Sequence, residues 1–406
     1  MKVLLVGSGG REHALAWAIA RSPRLAELHA APGNPGIARL GSCHPVRAED
    51  GEGLLALAHA LEADLVVIGP EAPLVAGVGD ELRHAGISVF GPSAAAARIE
   101  GSKSFAKDVM RAAGVPTADT LAVARPPCVV KVDGLAAGKG VFVCRSREEL
   151  DDALRAAAAF DGPLVIEELL EGEEVSIFAL VDGNAVVPLA PAQDFKRLED
   201  GDGGPNTGGM GSFSPVPAVD DALTAEIAEG VHRPVVEELS RRGTPFVGLL
   251  YAGLMLTSEG PRVLEFNCRF GDPETQSVLP RLRSDLLEAL AAAASGELAG
   301  VEPAFAPGAA VTVVAAAASY PRAGDAGTPI DGLEDAEATG ALVFHAGTAS
   351  RGGRVVTNGG RILSVTGLGS SVTEARDRAY AALGCISFDG MRARTDIAAE
   401  AAGVRA

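Results

Sequence analysis

Short apolar runs alternate with helical patterns over the first hundred residues. The runs "VLLV", "DLVVI" and "ISVF" have the length and β-branched content of buried strands. Between them, segments such as "GLLALAHALEA" and "GVGDELRHAG" carry apolar residues at helical spacing. Alternating strands and helices imply right-handed βαβ units and a parallel sheet. Ligands of such sheets bind at the carboxyl ends of the strands.

The remaining chain has a different order of elements. A helical pattern ends near residue 114, a short β-rich insert follows, and long apolar strands such as "VGLLYAGLMLT" come later. We therefore predict an α/β and α+β multidomain fold. The pattern divides the chain into a βαβ region over residues 2–100, a short β-rich insert at 119–176, a mixed region from 177 to about 308 and a strand-rich end from about 309.

Composition and charge narrow the class of ligand. The chain has 406 residues, of which 47% are hydrophobic and 22% charged, as is usual for a soluble globular protein. Its formal net charge is −18, and it has no basic run suited to a nucleic-acid backbone. A few lysines and backbone amides in one cleft can still bind a small phosphorylated molecule. We expect small-molecule substrates and no nucleic acid.

The cysteines and the apolar runs indicate where in the cell the protein would be found. Five scattered cysteines without a C-x-x-C pair indicate reduced thiols and a cytoplasmic protein. The apolar start "MKVLLVG" is too short for a signal peptide, and the Ala-rich run at 308–318 is too short to cross a bilayer. We expect no membrane segment.

A glycine-rich stretch, "CVVKVDGLAAGKGVFV" at 128–143, resembles a phosphate-binding loop. Only three residues separate Gly134 from Gly138, whereas the Walker pattern has four and continues into a helix. The apolar residues 141–143 instead predict a second strand. The loop is therefore predicted to be the tip of a β-hairpin.

Two glycine-bearing turns, "GSGGRE" and "GPEAPL", follow strands of the N-terminal sheet. Glu12 occupies the third glycine position of a dinucleotide fingerprint, and the second strand ends without the acidic residue that would hold a ribose hydroxyl. These facts oppose a nicotinamide site. The alternatives are a tight turn alone, or an anion site at the helix N-terminus to which Arg11 adds charge. We favour the anion site.

The stretch "VLEFNCRFGDPE" carries the densest group of polar side chains. Glu265, Asn267 and Arg269 share one face of the predicted strand. A carboxylate and an amide oxygen suit Mg²⁺, which uses few protein ligands and leaves positions for phosphate oxygens. Arg269 would neutralise a transferring phosphoryl group or an acyl phosphate. Asp272 and Glu274 nearby favour such a site over a polar strand that faces solvent.

Several lysines and an acidic turn are ambiguous by pattern alone. Surface exposure is the default expectation for Lys103, Lys107 and Lys139, and the periodicity does not decide which face Lys131 occupies. In "VIEELLEGEEVS", the backbone of residues 167–170 could contact an adenine edge and Glu174 a ribose. The alternative is a solvated acidic turn.

The polar segment at 200–211 fits two descriptions equally. It could be a flexible linker, or an ordered loop that donates backbone amides to a substrate. His13 and His345 have no partner by spacing, and we expect structural roles for both.

Taken in order along the chain, the motifs resemble one family within the ATP-grasp superfamily. This is the phosphoribosylamine–glycine ligase, or glycinamide ribonucleotide synthetase, family. The likeness runs from Met1 into the last fifty residues, and biotin carboxylases of the same superfamily would lack the "GPNTGGMG" loop and the "GPEAPL" turn. The motifs are "VGSGGREHALAW", "APGNPG", "GPEAPLVAGV", "FGPS", "EGSKSFAKD", "KVDGLAAGKGV", "EELLEGEEVS", "AQDFKR", "GPNTGGMGSFSP", "GLLYAGLM", "EFNCRFGDPETQ", "VFHAGT" and "VVTNGGR".

The resemblance implies a ligase of purine biosynthesis that joins glycine to 5-phosphoribosylamine. ATP would be the co-substrate and Mg²⁺ or Mn²⁺ the metal, and a glycyl phosphate would be the intermediate. The likeness also implies an N-terminal Rossmann-like domain at 1–101, a central ATP-grasp domain at 102–118 with 177–308, a small lid at 119–176 and a β-rich C-terminal domain at 309–406. The glycine-rich hairpin of the lid would act as a flap that closes over the ATP phosphates. The protein would be a monomer or a weak homo-oligomer.

The resemblance also implies roles for individual residues. The ATP contacts would be Lys103, Lys131, Gly138, Lys139, Gly140, Glu167, Glu168, Leu170 and Glu174. Glu265 and Asn267 would bind the metal, and the catalytic residues would be Arg269, Asp194 and Lys196. The substrate contacts would be Gly9, Gly10, Arg11, Pro70, Glu71, Asn206, Thr207, Gly208, Gly209 and Met210.

The chain departs from the family pattern in two places. Phe195 stands where the family usually has histidine, so a proton-transfer role for that histidine does not apply here. The segment "TLAVARPPCVV" is shorter than usual, which suggests a trimmed lid.

Overall fold

The computed structural model describes residues 1–135, 139–160 and 162–404. Its strands form a five-stranded parallel sheet, a four-stranded and a five-stranded antiparallel sheet, and three smaller sheets. This architecture agrees with the predicted α/β and α+β multidomain fold. The predicted domain bounds stay predictions.

The N-terminal sheet has the strand order β3-β2-β1-β4-β5, and all neighbouring strands are parallel. The run "VLLV" is buried on both faces, as a parallel sheet covered by helices requires. The strands are β1 (Lys2–Gly7), β2 (Glu27–Pro32), β3 (Ser42–Cys43), β4 (Leu65–Ile68) and β5 (Val89–Phe90). The helices are α1 (Gly10–Ile19), α2 (Gly51–Leu61), α3 (Glu71–Ala76), α4 (Val78–His84) and α5 (Ala94–Gly101).

A break at Ser102 divides the helical pattern after β5. The Ser102 hydroxyl accepts from the Phe105 N–H and so caps α6 (Lys103–Ala113). A small antiparallel sheet follows with the order β7-β6-β8 and its own core around Val130 and Leu150. Its elements are β6 (Cys128–Val132), β7 (Val141–Cys144), α7 (Arg147–Ala157) and β8 (Leu164–Glu168). The antiparallel pairing of β6 with β7 confirms the predicted hairpin.

The central sheet is antiparallel, and its β15 strand pairs on both sides. Its order is β10-β9-β15-β16. Leu180 and Leu249 belong to the same buried cluster as Val3 and Leu5, so this sheet and the N-terminal sheet share a core. The elements in chain order are β9 (Glu173–Asp182), β10 (Val186–Pro188), β11 (Gln193–Asp194), β12 (Arg197–Glu199), β13 (Gly203–Asn206), β14 (Gly211–Ser214), α8 (Asp221–Ile227), α9 (Arg233–Arg241), β15 (Val247–Thr257) and β16 (Gly260–Asn267).

The C-terminal part is rich in strands. They form the sheet β11-β14-β17-β22-β19 and the smaller sheet β18-β21-β20. The elements are α10 (Thr275–Val278), α11 (Leu286–Ser295), β17 (Ala309–Ala316), β18 (Asp325–Pro329), α12 (Leu333–Ala338), β19 (Leu342–His345), β20 (Thr348–Arg351), β21 (Arg354–Gly359), β22 (Arg361–Gly369) and α13 (Val372–Leu383).

One sheet contains strands from both sides of residue 309, where we predicted the C-terminal domain to begin. β14 pairs with β17, so that Ser212 lies opposite Thr312. β11, which contains Asp194, extends the same sheet through β14. The C-terminal strands therefore hold the catalytic candidate Asp194 in place through continuous backbone pairing.

The segment at 200–211 is an ordered structure, so of the two descriptions left open the ordered loop applies, and its contact with a substrate stays a prediction. β12 and β13 pair as an antiparallel hairpin, with Arg197 opposite Asn206. Thr207 closes the hairpin because its N–H donates to the Lys196 carbonyl at 2.7 Å.

None of the helices in the described ranges is both long and apolar enough to cross a membrane.

A buried histidine gives the fold a dependence on pH. His232 lies in the π-helical turn Ala228–His232 and is 0% exposed. Within the described residues, neither of its ring nitrogens has a hydrogen-bond partner. Burial lowers the pKa of His232 to about 4, from an ordinary value of 6.5. The folded protein therefore keeps this ring neutral at a pH where the unfolded chain protonates it.

We expect His232→Phe to make the protein less sensitive to acid. Between pH 6.5 and 4, the unfolded chain binds a proton that the folded chain does not, so His232 lowers stability as the pH falls. Urea unfolding at pH 8 and pH 5 should show a loss of stability about 2 kcal/mol smaller in the variant than in the wild type. The matched control is His59→Phe at an exposed position of α2. An equal pH dependence in all three proteins would contradict this role.

Candidate active site

We keep the name lid for the segment 119–176, which contains the small sheet β7-β6-β8. A cavity of about 1520 Å³ lies where the lid, the central sheet and the C-terminal part meet. Val129 of β6 lines it from the lid, and Met255 and Phe266 line it from β15 and β16. Ala399, beyond α13, contributes to the wall from the C-terminal part. The cavity is large enough for a nucleotide and a second small molecule together.

Most of the residues singled out from the sequence line this cavity. They are Arg11, Glu71, Lys103, Lys131, Gly140, Glu167, Glu168, Leu170, Glu174, Asp194, Lys196, Asn206, Thr207, Gly208, Glu265, Asn267 and Arg269. The residues that do not line it are Gly9, Gly10, Pro70, Lys139, Gly209 and Met210. Gly138 lies outside the described residues.

The base of the glycine-rich hairpin is tied to the start of α6. Asp133 follows β6, and its carboxylate accepts from the Lys103 N–H at 2.5 Å. The Lys103 ammonium donates to the Gly134 carbonyl at 2.9 Å. At the other end of the turn, the Gly140 carbonyl accepts from the Val132 N–H at 2.8 Å. Both ends of the turn are therefore anchored, and Lys103 lies directly beneath it.

Two buried lysines share one buried carboxylate at the junction of the lid and the central sheet. Glu167 on β8 is 2.8 Å from the Lys107 ammonium and 2.6 Å from the Lys131 ammonium. The surface position expected for Lys107 is wrong, because this residue is only 7% exposed. Lys131 also donates to the Leu264 carbonyl at 2.8 Å. The Glu167 carboxylate and the Leu264 carbonyl fix the orientation of Lys131, which the sequence pattern left open.

The acidic turn after β8 has a paired side chain at Glu168 and unpaired backbone groups after it. The side chain of Glu168 faces away from the Glu167 site, accepting from the Asp119 N–H and pairing with Arg262 at 2.8 Å. Within the described ranges, the backbone groups of Leu169 and Leu170 form no hydrogen bonds with the protein. Those groups line the cavity and are available to a ligand.

Lys196 joins two carboxylates across the cavity. Its ammonium contacts the Glu174 carboxylate and lies 3.3 Å from Glu265 Oε1. Lys196 lowers the pKa of Glu265 to about 2, against the opposing effect of burial. Glu265 is therefore ionised at neutral pH. Burial raises the pKa of the neighbouring Asp194 well above its ordinary range, and Lys196 opposes that effect.

Arg269, just beyond β16, is held between carboxylates from the N-terminal domain. Its guanidinium donates to Glu100 at 3.0 Å, to Glu71 at 3.3 Å and to Asn267 Oδ1 at 3.3 Å. Burial would raise the pKa of Glu71, but Arg269 and Arg11 outweigh it and lower that pKa to about 2. Arg269 is thus a fixed positive charge beside the two predicted metal ligands.

The first glycine-bearing turn is occupied by its own glutamate. Glu12 accepts from the Gly9 N–H at 2.6 Å and from Arg11 Nε at 2.6 Å. A Cβ on Gly69, in the second turn, would lie 2.2 Å from the same carboxylate. Glu12 therefore fills the space between the two turns, and only Arg11 and Glu71 extend from them into the cavity. The Gly9 N–H is therefore already paired and is not open to an outside anion, and of the favoured anion site it is the Arg11 side chain that reaches the cavity.

The loop at 206–210 connects the lid with the C-terminal part. The Asn206 side-chain amide donates to the Val141 carbonyl of the lid at 3.2 Å. The Gly208 N–H donates to the Tyr320 hydroxyl at 2.8 Å. Gly209 has a positive φ of 107°, and a Cβ there would lie 2.4 Å from Pro273 Cδ. Glycine is therefore required at this turn.

Three family models match successive parts of the chain. They describe the N domain of phosphoribosylglycinamide synthetase at 1–100, its ATP-grasp (A) domain at 101–275 and its C domain at 310–400. The chain belongs to the phosphoribosylglycinamide synthetase family. The resemblance drawn from the motifs is confirmed.

Full-length relatives agree with this family. A Streptomyces coelicolor protein named phosphoribosylamine–glycine ligase is 55% identical over 419 residues, which cover 99% of this chain and 100% of that protein. A Rhizobium meliloti protein of the same name is 49% identical, with 98% of each chain covered. The crystal structure of phosphoribosylamine–glycine ligase from Thermotoga maritima is 36% identical, with a TM-score of 0.85 over 98% of this chain and 100% of that one. A biotin carboxylase domain from Hydrogenobacter thermophilus, 18% identical with a TM-score of 0.70, shares the fold.

Several cavity residues of this family member were not singled out from its sequence. Glu100 orients Arg269 and also accepts from the Cys268 N–H at 2.8 Å. Arg361 lies 2.6 Å from the Asp272 carboxylate and binds the Gly208 carbonyl. The motif "VVTNGGR" ends at Arg361 and could have marked this arginine as a site residue. The groups that Arg361 contacts, Asp272 and Gly208, lie far from it in the chain.

The side-chain oxygens of Glu265 and Asn267 are suited to binding Mg²⁺. Within the described residues, no three His, Cys, Asp or Glu side chains are grouped so as to hold a metal. Mg²⁺ needs no such group, because it commonly uses one or two carboxylates and completes its shell with phosphate oxygens and water. The Glu265 carboxylate and the Asn267 amide oxygen both line the cavity, and both now accept from cationic side chains. Positive charge is therefore already favoured at these oxygens.

Proposed function

We propose that this chain is an ATP-dependent ligase that joins glycine to 5-phosphoribosylamine, giving glycinamide ribonucleotide, ADP and phosphate. The matching family models and the full-length relatives named phosphoribosylamine–glycine ligase support this reaction. One structural observation supports this reaction most directly. A single cavity joins lysines under a glycine-rich hairpin, a carboxylate–amide pair suited to a divalent cation, and an arginine shared with the N-terminal domain.

ATP would lie between the lid and the central sheet. The unpaired backbone groups of Leu169 and Leu170 would meet the adenine edge, and Glu174 the ribose. Lys103 and Lys131 would contact the phosphates, while the hairpin containing Lys139 and Gly140 closes over them. The anchoring of Lys103 to Gly134 supports this arrangement, because it places a cation where the hairpin begins.

Glu265 and Asn267 would hold Mg²⁺ or Mn²⁺. When bound, the metal would neutralise the phosphate oxygens during phosphoryl transfer. Lys196 and Arg269 already contact these two side chains, so they are placed to keep the same region positive.

Phosphorylation solves the chemical problem of joining a carboxylate to an amine. A carboxylate oxygen of glycine would attack the γ-phosphorus of ATP, and the bond to ADP would break. The amine of phosphoribosylamine would then attack the acyl carbon, and phosphate would leave with the former carboxylate oxygen and take up the proton that the amine loses. Arg269 would stabilise the negative charge in both steps, with Asp194 and Lys196 placed beside the reacting carboxylate.

The N-terminal turns and the 206–210 loop would hold the second substrate. Arg11 lies in the cavity wall and is buried, with its guanidinium fixed by Glu12 and the Phe270 carbonyl. Gly9, Gly10 and Pro70 would shape the turn from behind, since they lie next to the cavity wall without lining it. Asn206 to Met210 would close the opposite side.

Two other functions make different predictions. A ligase of the same superfamily for another acid and amine would release ADP with those substrates instead. A non-catalytic nucleotide-binding module would bind ATP without forming ADP. We expect the protein to act in the cytoplasm as a monomer or a weak homo-oligomer, without nucleic-acid or membrane partners.

A coupled ADP assay decides among these functions. With phosphoribosylamine formed in the assay, we expect ADP release only when ATP, Mg²⁺, glycine and phosphoribosylamine are all present. Leaving out each in turn supplies the controls, and other amino acids replace glycine in parallel reactions. Equal ADP release without glycine, or with another acid in its place, would overturn the proposed reaction.

A further inference from the structure

The segment that follows α13 lines the cavity beside the loop at 195–211. Arg394 lies in this segment, eleven residues after α13 ends, and is only 2% exposed. A buried guanidinium has five N–H donors that need acceptors. The partners of Arg394 therefore indicate what this segment does.

Arg394 contacts the loop in three places. Its guanidinium carbon lies 5.0 Å from the centroid of the Phe195 ring. Its Nη1 donates to the Arg197 carbonyl at 3.1 Å and to Asp202 Oδ1 at 2.9 Å. Its Nε and Nη2 donate to the two carboxylate oxygens of Asp396 at 2.7 and 2.6 Å. This bidentate pair fixes the plane of the guanidinium.

Two hydrogen bonds from backbone N–H groups to carboxylates also join the C-terminal segment to the loop at 195–211. The Gly201 N–H donates to Asp396 Oδ2 at 2.8 Å. The Thr395 N–H donates to Asp200 Oδ1 at 2.8 Å. The C-terminal segment therefore holds the β12–β13 hairpin along one side.

Lys196 lies between two residues that Arg394 contacts. Phe195 precedes it and Arg197 follows it, so its backbone is held on both sides. Its carbonyl accepts from the Thr207 N–H at 2.7 Å and from the Thr207 hydroxyl at 2.9 Å. The Lys196 ammonium in turn contacts Glu265. The position of that ammonium thus depends on a residue from the far end of the chain.

We propose that Arg394 is a positioning residue for the ligation reaction. It acts through the loop at 195–211 and through Lys196, and it makes the C-terminal segment part of the catalytic apparatus. This inference rests on the proposed function. Phe195 provides the aromatic face on which the guanidinium lies.

The test is Arg394→Lys, because lysine keeps the charge but cannot hold the aromatic face, a carbonyl and two carboxylates together. We expect kcat to fall by about 10- to 100-fold, as for other supporting residues around a site, with the KM for ATP changed by less than about 3-fold. Amide hydrogen exchange at 195–211 should become faster. The matched control, Arg392→Lys, alters a nearby arginine that contacts the Ala318 carbonyl instead and should change neither measurement.

A second variant keeps the test decisive if Arg394→Lys folds poorly. The Asp202 side chain is 71% exposed, and its φ is 52°, a conformation that asparagine tolerates. Asp202→Asn should lower kcat by about 3-fold, as expected for one exposed contact, and should speed exchange in the same loop.

Unchanged kcat and unchanged exchange in the folded variants would overturn the proposal, as would a fall in kcat without faster exchange in the loop. Wild-type protein that releases no ADP with glycine and phosphoribosylamine would instead overturn the proposed function. The exchange comparison would still show whether Arg394 holds the loop.

Discussion

Glu265→Gln should reduce ligation about 1000-fold, which is the scale on which preorganised charge acts in phosphoryl and acyl transfer. Glutamine keeps the size of the side chain but removes the negative charge that Lys196 stabilises and that a divalent cation would need. The Glu265 side chain is 35% exposed, so its loss of charge should leave the fold intact. The coupled ADP assay measures turnover, and circular dichroism with thermal unfolding checks the fold.

Glu259→Gln is the matched control for that experiment. Glu259 lies in the exposed turn between β15 and β16, on the same hairpin as Glu265. The Glu259→Gln substitution should leave turnover unchanged. Near-normal activity in Glu265→Gln would remove Glu265 from the proposed metal site, whatever the control shows.

Glu167→Gln should destabilise the protein by about 3–5 kcal/mol, because it leaves two buried lysines without their shared counter-charge. Lys107 and Lys131 are 7% and 6% exposed, so little water can reach their ammonium groups to replace the lost carboxylate. Lys131 would also lose the contact that orients it, and affinity for ATP should decrease. Urea unfolding measures the first effect, and isothermal titration with ATP measures the second.

The adjacent residue supplies the control. Glu168 is 33% exposed in its side chain and pairs with Arg262 at 2.8 Å. A partly exposed pair of this kind contributes about 0–1 kcal/mol, so Glu168→Gln should change stability little. Equal stabilities of the two variants would show that the buried position of Glu167 has no energetic importance.

The elements that could be predicted are those that local sequence specifies. The hairpin of β6 and β7 follows from two β-branched runs joined by a glycine-rich turn, and the parallel N-terminal sheet follows from alternating strands and helices. The face shared by Glu265 and Asn267 follows from the two-residue period of a strand. Each of these depends on residues that are close together in the chain.

Other features depended on partners that are distant in the chain. Lys107 was expected at the surface because lysine is rarely buried, and it is buried because Glu167 supplies a charge sixty residues later. The segment at 200–211 has the composition of a linker, yet it is ordered because Arg394 and Asp396 hold it from the C-terminal part. The composition of a segment does not show which distant residues will contact it.

The sequence by itself determined the family, the alternation of strands and helices, and the chemical types of residue that serve the site, because these depend on local order and spacing. Only the tertiary structure decided which lysine is buried, which carboxylate orients which cation, and that the end of the chain supports the loop beside Lys196. Burial and charge pairing depend on distances in space, and those distances are set by how the sheets pack against one another.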